Sequence, residues 1–399
     1  RLNEYLAGTY GVKLGVASRR VATSRDGSST MAGWVHSHKP FHWFIEFYEI
    51  MAKGGFDTII GNPPYLELRE VNYAVKGCVS TDTGAIHAVC VERAATLLQS
   101  YGWMSMIVPL SIVSTQRMKT VQRVLEAHGS SWYANFAWRP GKLFDTVNRA
   151  LTIFTLAPSA QRSVFSTGYQ TWTSETRPTL MYLITYSEVP SERSVYWVPK
   201  FCSLTDQSIL QKVLSVKGIL GHHISRRGEA VFYRITGGLY WKVFTDFAPA
   251  FRVNGRKGHS SRETSFCLSP PLPACSVVAV LSSDVFWWWY TVTSNLRDLN
   301  PTDIQNFPFP ASCITDAVIA NLGKKYLADL QANSTMLVRE QQQTGRTETQ
   351  SFKIQLSKPI IDKIDHALAK HYGFTDEELD FIINYDIKYR MGRNGGEEE

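Results

Sequence analysis

Between residues 39 and 156, short apolar runs alternate with amphipathic stretches. The runs at 56–60 (FDTII), 103–109 (WMSMIVP), 132–138 (WYANFAW) and 149–156 (RALTIFTL) read as strands. The stretches at 85–100 (AIHAVCVERAATLLQS) and 115–127 (TQRMKTVQRVLEA) place apolar residues at helical spacing. Buried β runs separated by such helices predict an α/β sheet covered on both faces. No helix separates the last two runs, which predicts an antiparallel edge.

From about residue 160 the pattern becomes polar, aromatic and β-prone, with one short helix at "DQSILQKVLS" and a glycine-rich, basic stretch over 220–275. Helical periodicity returns at 281–292, 317–343, 359–372 and 375–387, and Thr375 with Glu378 forms a capping-box pattern for the last of these. "RLNEYLA" at the start reads as a helix, 22–33 as a loop-like patch, and "GGEEE" (395–399) as a frayed tail. There is no internal repeat.

Hydrophobic residues at 44% and charged residues at 19% describe an ordinary globular chain of 399 residues, long enough for two or three domains. A net charge of +7 permits a polyanionic partner without requiring one. The six cysteines contain no C-x-x-C pair and lack the density of a secreted disulfide scaffold, so they read as reduced thiols in a cytoplasmic protein. No secretory signal pattern opens the chain, and the most apolar helix candidate, 275–294, carries Ser282, Ser283 and Asp284 at its middle, unlike a membrane span. Arg1 falls inside a helical pattern, which predicts a fragment of a longer protein.

"GFDTIIGNPPYLE" (54–66) carries the chemistry. After the apolar run, Pro63 and Pro64 fix their own φ and restrict the residues before them, so the backbone past Gly61 is nearly set before any ligand arrives. Prolines cannot donate to a strand ladder, which puts the segment beyond the sheet, where open α/β sheets bind ligands. The Asn62 amide oxygen and the Pro63 carbonyl are two neighbouring acceptors suited to the two N–H donors of an exocyclic amine. In adenine the lone pair of that nitrogen is delocalised into the ring. Holding both hydrogens localises it for attack on an electrophilic methyl group. Tyr65 offers a face for stacking a base, worth about 1–3 kcal/mol. A structural proline turn with a core tyrosine would use the same four residues.

These residues resemble the catalytic motif of the gamma-class amino-methyltransferases, which modify DNA with S-adenosylmethionine. "KPFHWFIEFYEIM" (39–51) resembles the type IIG restriction–modification methylases in particular. The similarity continues through "ERAATLLQSYGWMSMIVPLSIVST", "GKLFDTVNRALTIFTL", "YWKVFTDFAPAF", "SSDVFWWWYTVTSNLRDLNPTDIQNFPFP" and "EELDFIINYDIKYRMG". It implies that Phe144 packs on an adenine extruded from double-stranded DNA, with Asn62, Pro63 and Tyr65 as its catalytic partners. It also implies a partial Rossmann-like methyltransferase sheet (1–160), an α+β target-recognition domain (161–312) and C-terminal helices (313–399). The family's glycine-rich cofactor loop has no match. "AGTYGVKLG" (7–15) follows no apolar strand and reads as a loop, so the residues that would hold S-adenosylmethionine are unassigned. That loop, and the nuclease of type IIG enzymes, are expected upstream of Arg1, which leaves this chain incomplete and inactive alone.

Residues 220–262 hold eight Lys/Arg against two Asp/Glu, interleaved with aromatics. Arg226, Arg227, Arg252, Arg256, Lys257 and Arg262 are the candidates for salt-dependent phosphate contact, and the arginines for guanine edges. A solvated surface over an aromatic core is the plainer account of the same composition. His222-His223 lacks a third ligand at recognisable spacing and reads as surface. "FWWWY" (286–290) points rings around more than one helix face, which favours core packing between domains over a stacking platform. Cys78 and Cys90 are not needed, because amine methylation uses no covalent enzyme intermediate. No mechanism attaches to Glu46. The function these features predict is adenine-specific DNA methylation in restriction–modification or phage defence, without a membrane partner. The alternatives are a non-catalytic DNA-binding remnant, or an amino-methyltransferase for RNA or protein glutamine.

Overall fold

The strand-forming runs of the first half assemble into one six-stranded sheet. The computed structural model describes residues 2–9, 31–71, 74–190, 197–237, 240–341 and 345–391; the loop readings at 10–15 and 22–30 and the tail at 395–399 lie outside the described residues. Internal packing divides the chain into two units, Arg1–Val198 and Pro199–Glu399.

In the first unit, helices α1 (Leu2–Thr9) and α2 (Met31–His38) and the short α3 (Trp43–Glu46) and α4 (Tyr48–Ala52) precede β1 (Phe56–Gly61). Then come α5 (Ile86–Leu97), β2 (Leu98–Pro109), the single turn α6 (Ser111–Ser114), α7 (Lys119–His128), β3 (Gly129–Phe136), β4 (Leu151–Pro158), β5 (Val164–Gln170) and β6 (Ser187–Glu188). Strand order is β1-β2-β4-β3-β5-β6. β1 runs parallel to β2 and β3 parallel to β5, while β4 is antiparallel to both its neighbours. The antiparallel strand therefore sits inside the sheet, not at the edge its lack of a preceding helix predicted. β1 and β6 are the edges among the described residues.

The interior strands bury a continuous core face: Met104 and Val108 on β2, Tyr133 and Phe136 on β3 and Phe154 and Leu156 on β4 are all fully covered. α7 buries Val121 and Leu125, four residues apart on one face. β1 differs from its reading as a buried strand. Among the described residues it pairs on one side only, and Ile60 is 80% exposed.

The second unit contains α8 (Leu204–Ser215), β7 (Ile224–Arg234), β8 (Phe244–Thr245), β9 (Phe251–Val253), β10 (Arg256–Lys257) and β11 (Glu263–Leu268). After these come α9 (Ala274–Ser282), α10 (Asp284–Thr293), α11 (Pro301–Gln305), α12 (Ala317–Ala332), β12 (Ser334–Gln341), β13 (Gly345–Phe352), α13 (Lys358–Tyr372), α14 (Asp376–Ile383) and α15 (Ile387–Arg390). Two sheets form, β11-β7-β8 and β10-β9-β13-β12. Helical periodicity over 317–343 predicted one helix; the structure ends it at Ala332 and continues as β12, antiparallel to β13 along its whole length. A distant partner strand decides that conformation. Strands β5 and β6 belong to the first unit, beyond residue 160, and the helices after 313 share the second unit with strands before it. No helix among the described residues is long and apolar enough to cross a membrane.

All five residues of FWWWY lie on α10 and are buried, so they pack the second unit's core rather than offering a stacking surface. Buried polar side chains hold both ends of this helix. At its start, the fully buried Asp365 of α13 accepts from the Asp284 and Val285 amides at 3.0 and 3.2 Å, a carboxylate at the positive end of a helix dipole. Asp284, also fully buried, pairs with Lys358 at 3.0 Å and with Arg390. The Arg390 guanidinium lies 3.8 Å from the Trp241 ring centre. Asp284, Asp362 and Asp365 converge in the manner of a metal site, but Lys358 and Arg390 already supply the positive charge there.

At the other end of α10, the buried Lys200 ammonium donates to the carbonyls of Val292 and Ser294 at 2.9 and 2.7 Å. Burial pushes its pKa down to about 7, with Asp303 opposing. A neutral amine keeps enough N–H groups for both bonds. The unfolded lysine holds its proton to about pH 10.4, so between the two values the unfolded chain binds more protons and stability rises with pH. Burial pushes the Asp303 carboxyl up to about 6, and its opposite effect is spent below pH 7. Urea denaturation at pH 7, 8 and 9 is expected to show a rising midpoint that Lys200→Met flattens. Equal slopes in the two proteins would contradict this.

Candidate active site

Strand directions converge on one rim. Gly61 at the end of β1 pairs with Met106, Pro109 at the end of β2 pairs with Leu151 at the start of β4, and Leu151 also pairs with Phe136 at the end of β3. The carboxyl ends of β1, β2 and β3 and the loop entering β4 therefore share an edge. That edge carries both Asn62 and Phe144.

The Asn-Pro-Pro-Tyr segment leaves the sheet after Gly61 without regular structure, with Asn62 exposed, Pro63 buried, Pro64 exposed and Tyr65 half-buried. Asn62 is thus turned outward, beside a proline anchored in the interior. The Tyr65 hydroxyl donates to the Ile107 carbonyl of β2 at 3.0 Å, which fixes the ring. Burial raises its pKa to about 12 against the opposing charge of Arg149. Beyond it, Ile86 N donates to Leu66 O at 2.9 Å and Leu68 N to Gly84 O at 2.8 Å, strapping the corner to the start of α5. Arg117 grips Glu67 through two bonds of 2.7 Å, and holds that carboxyl below its usual range.

Phe144, 39% exposed, sits on the loop between β3 and β4. Arg177 holds this loop through the Lys142 and Leu143 carbonyls at 3.2 and 2.8 Å, and Lys142 reaches Asn148 at 2.9 Å. Arg149, at the loop's end, donates to the Tyr65 carbonyl at 3.4 Å, so the loop of Phe144 meets the proline corner.

Sequence reasoning missed His87. It opens α5, is 3% exposed, and its Nε2 is buried with no hydrogen-bond partner. Burial, with Arg117 and Arg149 adding to it, pushes its pKa down to about 4, so the ring is neutral at physiological pH. The available signal was a histidine on the buried face of a helix immediately after the motif. Burial also raises the pKa of Cys78 and Cys90, the opposite of what an activated nucleophile needs. Glu46 is exposed on α3.

The six basic candidates are all exposed in the second unit, but they divide between its two sheets. Arg226 and Arg227 lie where the pairing of β7 with β11 jumps from Val231↔Phe266 to Ser225↔Cys267, a bulge that pushes them outward. Gly228 follows at φ 135°, where a Cβ would collide with the Leu268 carbonyl. Arg262 immediately precedes β11. Arg252 and Lys257 face each other across β9 and β10, with Arg256 beside them, and Arg252 also pairs with Glu348 at 3.8 Å. His222 and His223 lie on a single turn before β7 and belong to no metal-ligand cluster among the described residues.

Comparison with known proteins places the proline corner in context. Residues 24–138 match the family model described as Eco57I restriction-modification methylase, which bears out the resemblance read from the motif. A putative type II restriction enzyme and methyltransferase of Methanocaldococcus jannaschii is 33% identical over 88 residues, 22% of this chain and 8% of that protein. The DrdV–DNA complex matches with a TM-score of 0.40 at 11% identity, covering 79% of this chain and 48% of that one. The type IIL restriction-modification enzyme MmeI, in complex with DNA, matches with a TM-score of 0.36 at 11% identity, covering 86% and 57%. The chain thus spans less than two thirds of the proteins it matches.

Proposed function

We propose, starting from a restriction–modification methylase segment at 24–138, that this chain is the target-amine-binding and DNA-reading part of an adenine-specific DNA methyltransferase. The observation that carries this reading is the outward Asn62 beside the buried Pro63, at the rim where the loop of Phe144 meets Tyr65. The Asn62 amide oxygen and the Pro63 carbonyl accept the two hydrogens of the adenine amine, which localises its lone pair. Tyr65 and Phe144 enclose the flipped base between two rings. Because the Tyr65 hydroxyl is tied to β2 and the Phe144 loop is clamped by Arg177, the rings are positioned before the base arrives.

S-adenosylmethionine supplies the electrophilic methyl group in this chemistry. The described residues do not fit it: no glycine-rich turn follows a strand on the open side of β1, so no residue of this chain is assigned to holding it. In this reading the first unit, whose sheet β5 and β6 complete, acts as the catalytic half, the strands of the second unit before 313 face double-stranded DNA, and 313–399 support that recognition segment. Arg226, Arg227, Arg252, Arg256, Lys257 and Arg262 attract phosphates in a salt-dependent way. A long basic segment favours DNA over a protein glutamine, which has little use for one.

The test is labelled-methyl transfer by a protein that carries this segment together with a methyl-donor site. Label is expected in duplex DNA, as methylated adenine. Label in RNA or in protein glutamine instead would assign the site to another amine, and duplex binding without transfer would make the chain a recognition remnant.

A further inference from the structure

The second unit contains a cavity of about 320 Å³ between its two sheets, walled by β7 and β8 on one side and by β12 and β13 on the other. Such a volume lies within the range of small-molecule sites. It belongs to neither the proline corner nor the exposed basic residues assigned to phosphate contact.

Its walls join flat apolar surfaces to positive charge. Phe232, Trp241 and Phe352 border it. Trp241 is held at its edge, its Nε1 donating to the Arg390 carbonyl at 3.2 Å, and one face is already covered by the Arg390 guanidinium at 3.8 Å. Trp241 borders the cavity and Arg390 does not. Arg234 and Lys242 contribute positive charge. The Arg234 Nε is buried with no hydrogen-bond partner, an N–H that is costly to leave unpaired. The single acid in the wall, Glu263, lies beside Arg234 in register; burial raises its pKa and the Arg234 charge opposes that rise. An orphaned guanidinium donor in an aromatic-walled chamber asks for an anion attached to a planar ring.

We propose that this cavity is a mononucleotide site, in which the base lies against Trp241 and Phe352 and the phosphate accepts from Arg234. The same chemistry is offered by a free nucleotide and by a nucleotide unit of single-stranded DNA.

The test uses the full chain and thymidine monophosphate, whose base lacks an exocyclic amine and so gives the Asn62 corner nothing to hold. Calorimetry is expected to show one saturable site, and thymidine without phosphate to bind at least tenfold more weakly. Arg234→Gln removes the guanidinium, and Thr335→Phe fills the chamber from β12. Each is expected to weaken binding at least tenfold while thermal unfolding remains cooperative. A short single-stranded oligothymidylate that competes with the monophosphate identifies DNA as the source. Failure to compete, with the monophosphate still bound, identifies the free nucleotide. No saturable binding to the wild-type chain, or equal binding by either folded variant, overturns the proposal. Neither result bears on methyl transfer at Asn62.

Discussion

Asn62→Ala is expected to lower methyl transfer by about 10²–10³-fold, the usual cost of deleting one preorganised partner at a reacting centre. The variant keeps the rigid proline backbone and both aromatic rings but loses one of the two acceptors proposed to hold the amine. Because Asn62 is exposed, the substitution should leave folding stability within about 0.5 kcal/mol of wild type. Loss of rate is then separable from loss of fold. Asn62→Asp retains an acceptor oxygen and is expected to keep more activity than the alanine variant. The measurement is single-turnover label transfer to duplex DNA, in a protein that also carries the methyl-donor site. A normal rate for Asn62→Ala would remove the amide from the mechanism.

The largest expected effect on stability lies in the second unit. Arg390→Ala leaves the fully buried Asp284 with Lys358 alone, beside the carboxylate of Asp365. Breaking a buried pair from one side typically costs about 3–5 kcal/mol. At about 2–4 °C per kcal/mol for a unit of this size, the thermal midpoint is expected to fall by on the order of 10 °C. Asp284→Ala should do at least as much, since Lys358 and Arg390 then face one another without the anion between them. The Asp365 pKa is already held well above the usual carboxylate range by burial and by the charge of Asp284. A midpoint within about 2 °C of wild type for both variants would show that the network adds little to the fold.

What could be read from sequence followed local physics. Thr375 and Glu378 form the capping box at the start of α14, with Thr375 N donating to the Glu378 carboxylate at 2.7 Å. The apolar runs became strands, and the helical stretches at 85–100 and 115–127 became α5 and α7. FWWWY proved too apolar to face water. What could not be read depends on partners far along the chain. Residues 334–341 look helical until β13 offers a ladder, and β13 in turn pairs with β9 about a hundred residues earlier. The half-exposed character of β1 follows from having one neighbour among the described residues, which no window of sequence reveals. At the candidate site, Asn62 and Pro63 were legible because proline restricts its own backbone. His87 was not, since its surroundings are assembled from Glu67, Arg117 and Arg149 on three other segments.

The position of Arg390 also governs when the second unit can mature during synthesis. Its guanidinium covers Trp241 and completes the charge cluster at the head of α10, yet it is translated long after both. A nascent chain shortened anywhere before it must hold Trp241 and Asp284 without that cover. The strands of the first sheet all lie before residue 189, so it can close while the ribosome is still adding the second half. Ribosome-bound chains stalled just before Arg390 should therefore yield to protease throughout the later half, with the earlier half already resistant.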